Sequence, residues 1–425
     1  MEKKRSLTDI LGFAVMLVTV LAAGVDLIRY IAWGSATAFM TELVIYTVLV
    51  GVAFSAWKGR MPWLLLINAV GGGVVFFLMN YTMTPWSQPV MLVQTVAAAI
   101  GCVWGTVRQL LKKEPVRCIP WLSMGIALLV AVAFVITWQV NLNAARDRQG
   151  APHYEIWAVP EQYDAPDCQQ AGTLEELVYQ TKAYGTDGRA VEKRALVYLP
   201  YGYDESKQYN ILYLMHGTGD DENYWLRTNP QNKHMLDRMI ASGAIEPLIV
   251  VTPTFYTEDD CADNLDVLTF AFKDELRNDL MVAVESKYST FAESCDEAGF
   301  VASRDHRAFA GLSRGGVTTC HSALCGSLDY FSWFGIFSAF RTGEDYLRQT
   351  MQSEEFKDYP IHYLYMTSGN FDFALNGQLS GYAMLLEMEP RLTHGVNADF
   401  DIYPMRYHGI GNWQLALYNL LQRIF

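Results

Sequence analysis

Charged residues are scarce in this chain of 425 residues, at 18%, where a soluble domain carries about a quarter. The shortfall predicts that part of the chain lies in lipid. A surplus of positive charge is also missing. The net charge of −13 argues against nucleic acid as a partner, because that binding needs a Lys/Arg surface to displace counterions. Histidine (8) and cysteine (7) are few. The histidines are scattered and the cysteines show no C-x-x-C spacing, so no metal site emerges and no cofactor is implied. Internal repeats and low-complexity tracts are absent. Aromatics are the reverse case: 11 Trp, 24 Tyr and 21 Phe are far too many for a chain that cannot bury them.

The average hides two unlike halves. Residues 1–150 hold 12 Lys/Arg against 6 Asp/Glu, and the rest holds 20 against 39. Five apolar stretches, at about 10–28, 36–57, 61–79, 90–107 and 119–140, match the roughly 20 residues needed to cross hydrocarbon. The last three contain no Asp, Glu, Lys or Arg. Asp26, Arg29 and Glu42 sit toward span ends, where an ionised group reaches the interface. Four further spans argue against a cleaved signal peptide at the first. Lys3, Lys4 and Arg5, then Lys58 and Arg60, then Arg108, Lys112, Lys113 and Arg117 fall in alternate connections. The positive-inside rule therefore places the N-terminus in the cytoplasm and, with an odd number of spans, everything after Asn141 outside. The expected organisation is a membrane region with five transmembrane helices over 1–142, a linker and domain entry over 143–172, and a catalytic domain over 173–425.

Beyond the linker, short β-rich runs alternate with helical patterns. Strands are predicted at 176–183, 193–199, 210–215, 248–253, 308–311, 333–338, 362–368 and 399–404. Helices are predicted at 273–288, 317–324 and 412–424. Apolar strands alternating with helices imply an α/β fold, a doubly wound and mostly parallel sheet covered on both faces. Chemistry in such folds sits beyond the carboxyl ends of the strands.

The segment Gly311-Leu312-Ser313-Arg314-Gly315-Gly316 follows an apolar run and precedes a helical one. This is the nucleophile-elbow pattern, whose sharp turn needs small residues two before and two after the serine. It lifts the Ser313 hydroxyl out of the sheet and aims the Arg314 N–H at a developing oxyanion. In this pattern the acid and then the histidine follow the serine. His408 follows the last predicted strand, whereas His362 opens a strand and His394 precedes one. Asp372 lies just past a strand, a better place for the acid than Asp399 or Asp401. The second oxyanion donor should come from the loop after strand 210–215, His216-Gly217-Thr218-Gly219-Asp220, where glycine allows close backbone approach. Thr218 is the first choice there and Gly217 the alternative. Trp225, Phe371 and Trp413, with Tyr224 and Phe373, supply a candidate aromatic substrate wall or ordinary core packing.

Taken together, Leu199-Pro200-Tyr201-Gly202-Tyr203-Asp204, Leu212-Tyr213-Leu214-Met215-His216-Gly217, the elbow, Gly369-x-x-Asp372, and His408 with Trp413 five residues later resemble an esterase family. That family includes feruloyl and acetyl-xylan esterases of carbohydrate esterase family one, esterase D and the mycolyltransferases. The resemblance covers about 173–425 and implies an α/β-hydrolase fold with a Ser313–His408–Asp372 triad. One departure stands out. Feruloyl enzymes often have a Gly-rich run after the His-Gly pair, where this chain has Thr218-Gly219-Asp220-Asp221. The expected activity is a membrane-tethered, extracytoplasmic serine esterase acting on small-molecule or polysaccharide acyl esters, with membrane lipid as its other partner. The alternatives are an acyltransferase of the mycolyltransferase type and an inactive binding or sensor module.

Overall fold

The computed structural model describes residues 64–78, 158–257, 265–369, 372–403 and 406–425, together with isolated positions at 13–21, 49–52 and 96–111. The chain divides into two compact units, Met1–Asn143 and Ala144–Phe425.

In the first unit, helix α1 (Leu65–Leu78) carries a run of small and apolar residues. Its Asn68 donates Nδ2–H to the Leu49 carbonyl at 3.0 Å. The expected third span, 61–79, coincides with α1 where the residues are described. Among the described residues no helix is long and apolar enough to cross a membrane. The expected span at 119–140 lies outside the described residues, and those at 10–28, 36–57 and 90–107 do so except at isolated positions.

The second unit is built on one sheet of eight strands, in the order β1-β2-β4-β3-β5-β6-β7-β8. These are β1 (Thr173–Lys182), β2 (Ala190–Leu199), β3 (Asn210–Met215), β4 (Leu248–Thr252), β5 (Arg307–Leu312), β6 (Trp333–Phe337), β7 (Tyr363–Gly369) and β8 (Ala398–Tyr403). The β1–β2 hairpin is antiparallel and β2 meets β4 antiparallel; every pairing from β4 through β8 is parallel. Every residue of β3, β4 and β5 is buried. Such continuously apolar strands are what a sheet covered on both faces requires.

Helices cover the two faces: α2 (Gln231–Ala241), α3 (Leu265–Glu275), α4 (Arg314–Thr318, prolonged in wider turns over Thr319–Leu324), α5 (Glu344–Met351), α6 (Leu375–Met388) and α7 (Ile410–Leu421). One apolar layer places Tyr213 and Phe309 against Phe272, Leu276 and Phe331; the other sets Leu212, Leu214 and Tyr365 against Trp225, Met235 and Leu417. All eight predicted strands are present, and the sheet with flanking helices is the α/β-hydrolase arrangement. Helices α2, α5 and α6 were not predicted, and the helix expected at 273–288 meets α3 only over 273–275, the remainder falling on the wider turns Leu276–Leu280 and the short helix Met281–Glu285.

The described part of the domain entry, from residue 158, packs against α2. Arg238 Nε–H donates to the Ala165 carbonyl at 2.6 Å, and the Gly172 N–H donates to Asp237 Oδ1 at 2.8 Å.

Candidate active site

The elbow stands at the carboxyl end of β5, in the middle of the sheet. Ser313 adopts φ 69° and ψ −109°, a conformation that a residue bearing a Cβ holds only under strain. Its N–H donates to the Phe337 carbonyl at 2.9 Å, and its own carbonyl accepts from Val317 N–H at 3.1 Å. Each flanking glycine has a steric reason. A Cβ on Gly311 would lie 2.4 Å from the Gly315 carbonyl, and one on Gly315 would lie 2.4 Å from the Met215 carbonyl. Helix α4 can therefore fold back tightly only over glycine.

His408 lies in the loop between β8 and α7. Its Nε2 is 3.0 Å from Ser313 Oγ, and its Nδ1 is 2.9 Å from Asp372 Oδ1. A carboxylate only accepts, so Nδ1 carries the proton and Nε2 is free to accept from the serine hydroxyl. Asp372 follows the end of β7 and is buried. Its Oδ1 also accepts from the Ala374 N–H at 2.9 Å, and its Oδ2 accepts from Asn412 Nδ2–H at 3.3 Å. A Cβ on Gly369 would lie 2.2 Å from the Arg406 carbonyl, so glycine at the end of β7 lets the loop carrying the histidine approach the loop carrying the acid. The ring of His408 lies 4.2 Å from that of Phe373 and meets Trp413 edge-on at 5.0 Å.

Two supports of this arrangement were missed in the sequence. Ser338, just past β6, holds a left-handed φ of 56°, and its Oγ accepts from Asn412 Nδ2–H at 3.0 Å and Trp413 Nε1–H at 3.2 Å. Nothing in the local pattern marks Ser338 or Asn412, because their partners come from distant strands. The weighed alternatives are engaged elsewhere. His362 Nε2 lies 3.0 Å from Asp305 Oδ1, and His394 Nδ1 lies 2.7 Å from the Tyr382 hydroxyl. Asp399 and Asp401 accept from the hydroxyls of Tyr363 and Tyr365.

The β3 loop lies against the elbow. A Cβ on Gly217 would be 2.6 Å from Leu312 Cδ1 and 3.4 Å from Ser313 Cβ. His216 is fully buried, and burial pushes its pKa down to about 4. Its Nδ1–H donates to the Gly217 carbonyl at 2.7 Å, while Nε2 accepts from the Thr254 hydroxyl at 2.8 Å. In a trans peptide the N–H points away from the C=O, so anchoring Gly217 O sends the Thr218 N–H to the opposite side. Thr254 O in turn accepts from the buried Lys193 at 2.6 Å, and Lys193 pairs with Glu275 at 2.7 Å. The Arg314 guanidinium is held by Asp266 of α3.

Of the expected aromatic wall, Trp225 is a correction: it is 0% exposed, with its indole N–H donating to the Met215 carbonyl at 3.0 Å. It packs the core and presents no surface to a substrate. Trp413 is buried as well, against His408, while Phe373 is 43% exposed beside that ring. Phe371 lies outside the described residues. Cys168, Cys295, Cys320 and Cys325 are free thiols.

The family model described as "Putative esterase" matches residues 191–359. A serine-to-alanine mutant of the feruloyl esterase module from Clostridium thermocellum, complexed with sinapinate, is 33% identical; the match covers 63% of this chain and 93% of that one, with a TM-score of 0.55. The chain belongs to this esterase family. It is a serine carboxylic-ester hydrolase. A ferulic acid esterase from Anaeromyces mucronatus, 18% identical over 63% of this chain and 97% of its own, with a TM-score of 0.51, shares the fold. Endo-1,4-beta-xylanase Y of Acetivibrio thermocellus is 45% identical over 175 residues, 41% of this chain. The esterase chain spans only 15% of that protein and 25% of a second curated relative, an endo-1,4-beta-xylanase/feruloyl esterase of Xylanibacter ruminicola.

Proposed function

We propose that this esterase hydrolyses hydroxycinnamoyl or acetyl esters of carbohydrates through an acyl-enzyme on Ser313. The observation that carries the reading is the continuous hydrogen-bonded chain from Ser313 Oγ through His408 to Asp372. His408 takes the serine proton as Oγ attacks the ester carbonyl, then returns it to the leaving alkoxide. Asp372 holds the imidazole tautomer and steadies the imidazolium that forms. The Thr218 and Arg314 amides receive the oxyanion. The Gly217 N–H is a poorer donor, since it already favours the ionised Asp220. Water, activated by the same histidine, releases the acid. Phe373 offers the acyl group an aromatic face beside the reacting atoms. The named activities of the relatives, feruloyl esterase and xylanase, support this substrate class.

The front of the chain is proposed as a multi-pass membrane region over 1–142, joined by 143–172 to the catalytic domain at 173–425. The proposed orientation puts the N-terminus in the cytoplasm and the domain outside. Alternating basic connections support it, as do outward-facing apolar residues at helical spacing, Val96, Ile100, Val103, Val107 and Leu110. In a background with the native cysteines replaced by serine, a membrane-impermeant thiol reagent on intact cells should label a cysteine introduced near Gly150 and miss one near Gly59; the opposite pattern inverts the orientation.

Hydrolysis itself is tested with methyl ferulate and an acetylated xylo-oligosaccharide, analysing products by mass with excess sugar acceptor present. Free acid as the main product supports the esterase, and an acylated acceptor in excess of free acid assigns the chain to the transferases.

A further inference from the structure

The oxyanion loop of this chain carries a carboxylate, Asp220. The Cβ position of Gly217 lies 3.3 Å from Asp220 Oδ2 and 3.4 Å from Ser313 Cβ, so the carboxylate and the nucleophile flank one spot. Among the described residues no side chain donates to this carboxylate. Burial pushes its pKa up to about 6, against the pull of the Gly217 N–H. The titratable groups bearing on it are Asp221 on its own loop, which raises the value further, and His408 across the site, which lowers it.

A carboxylate so placed acts on charge. It repels any charge of its own sign that a substrate carries near the scissile carbonyl, a penalty added to the one that the oxyanion of every ester meets, and, unlike Asp372 with Asn412, it has no side-chain donor among the described residues. We propose that Asp220 is a specificity-determining residue that selects esters neutral around the scissile carbonyl and disfavours those carrying an anionic group there. The inference rests on the proposed role of Ser313 and names the substrate class that this same site prefers. It also bears on product, because the acid released on Ser313 is itself an anion formed beside Asp220.

The test compares kcat/KM for p-nitrophenyl valerate with that for mono-p-nitrophenyl glutarate, of equal length but anionic, on the purified full-length chain. At about pH 8 the wild type should favour the neutral ester roughly tenfold beyond the difference in uncatalysed rates. Asp220→Asn should remove most of that preference, and Asp220→Glu should keep it. Because the carboxyl is neutral below its raised pKa, the wild-type preference should also shrink as pH falls from about 8 to about 5. Any effect of pH common to both esters cancels in the ratio. An unchanged ratio in Asp220→Asn overturns the proposal, and so does a wild-type ratio indifferent to pH, which is readable even if the variant does not fold. Ser313→Ala run alongside separates the two levels: turnover surviving there contradicts the triad, whereas a fixed ratio contradicts only Asp220.

Discussion

The two walls that meet at Ser313 are built on opposite electrostatic plans. On the wall formed by the β7, β8 and β6 loops, the Asp372 carboxylate is buried and receives His408, the Ala374 amide and Asn412. On the β3 wall, the Asp220 carboxylate lies half-buried with no side-chain donor among the described residues, while the neutral His216 fixes the loop backbone. A charge that must never be protonated is surrounded by donors, which favour its ionised form. A charge left without them, at the edge of solvent, can titrate in the working range and act on what enters. The comparison teaches that a carboxylate's partners, more than its distance from the nucleophile, decide whether it is machinery or filter.

The largest effects should come from the donor-rich wall. Ser313→Ala and His408→Ala should each lower kcat by about 10⁴-fold or more, and the double variant should lose little beyond either single one, because the pair acts as a unit. Additive losses in kcat would show that the two act independently. On the other wall, His216→Phe keeps the bulk of the ring but releases the Gly217 carbonyl. We expect a fall of about 10²-fold in kcat with KM for p-nitrophenyl acetate little changed, as for a lost oxyanion donor; a pure KM effect would place His216 in binding.

Asn412→Ala removes one donor to Asp372 and one to Ser338. A fall of roughly tenfold in kcat with KM for p-nitrophenyl acetate little changed is expected. Stability lost with kcat unchanged would make Asn412 structural only. Smallest is the stability effect at Asp220. Its folded pKa is raised from 3.8 to about 6, so the folded state binds more protons than the unfolded one between those values, and stability falls as pH rises through that window. Asp220→Asn should therefore raise Tm more at about pH 8 than at about pH 4; an equal change at both sharpens nothing and removes the electrostatic reading.

How much of this was legible in the sequence follows from how local each feature is. The elbow announces itself because small residues must bracket the serine at fixed spacing, Gly311 against the Gly315 carbonyl inside the turn and Gly315 against the Met215 carbonyl of β3, and the strands do so because burial on both faces requires unbroken apolar runs. Ser313, Asp372 and His408 could be nominated because each follows a strand in the order that the pattern requires. Trp225 was misassigned since an aromatic next to an active loop reads the same whether it faces the cavity or the core; only its bond to the Met215 carbonyl distinguishes them. Ser338 and Asn412 were invisible because their roles exist only once β6, β7 and α7 are brought together. Helix α5 was missed because its eight residues include only three apolar ones, Tyr346, Leu347 and Met351, too few for a periodic stripe.

The central claim is that Ser313 is the residue acylated, with His408 as its base. Its most direct test is peptide mapping by mass spectrometry after treatment with a fluorophosphonate probe. The account predicts a single adduct on the peptide containing Ser313, formed slowly in His408→Ala and absent in Ser313→Ala. An adduct on any other serine, or one that persists in Ser313→Ala, would contradict it.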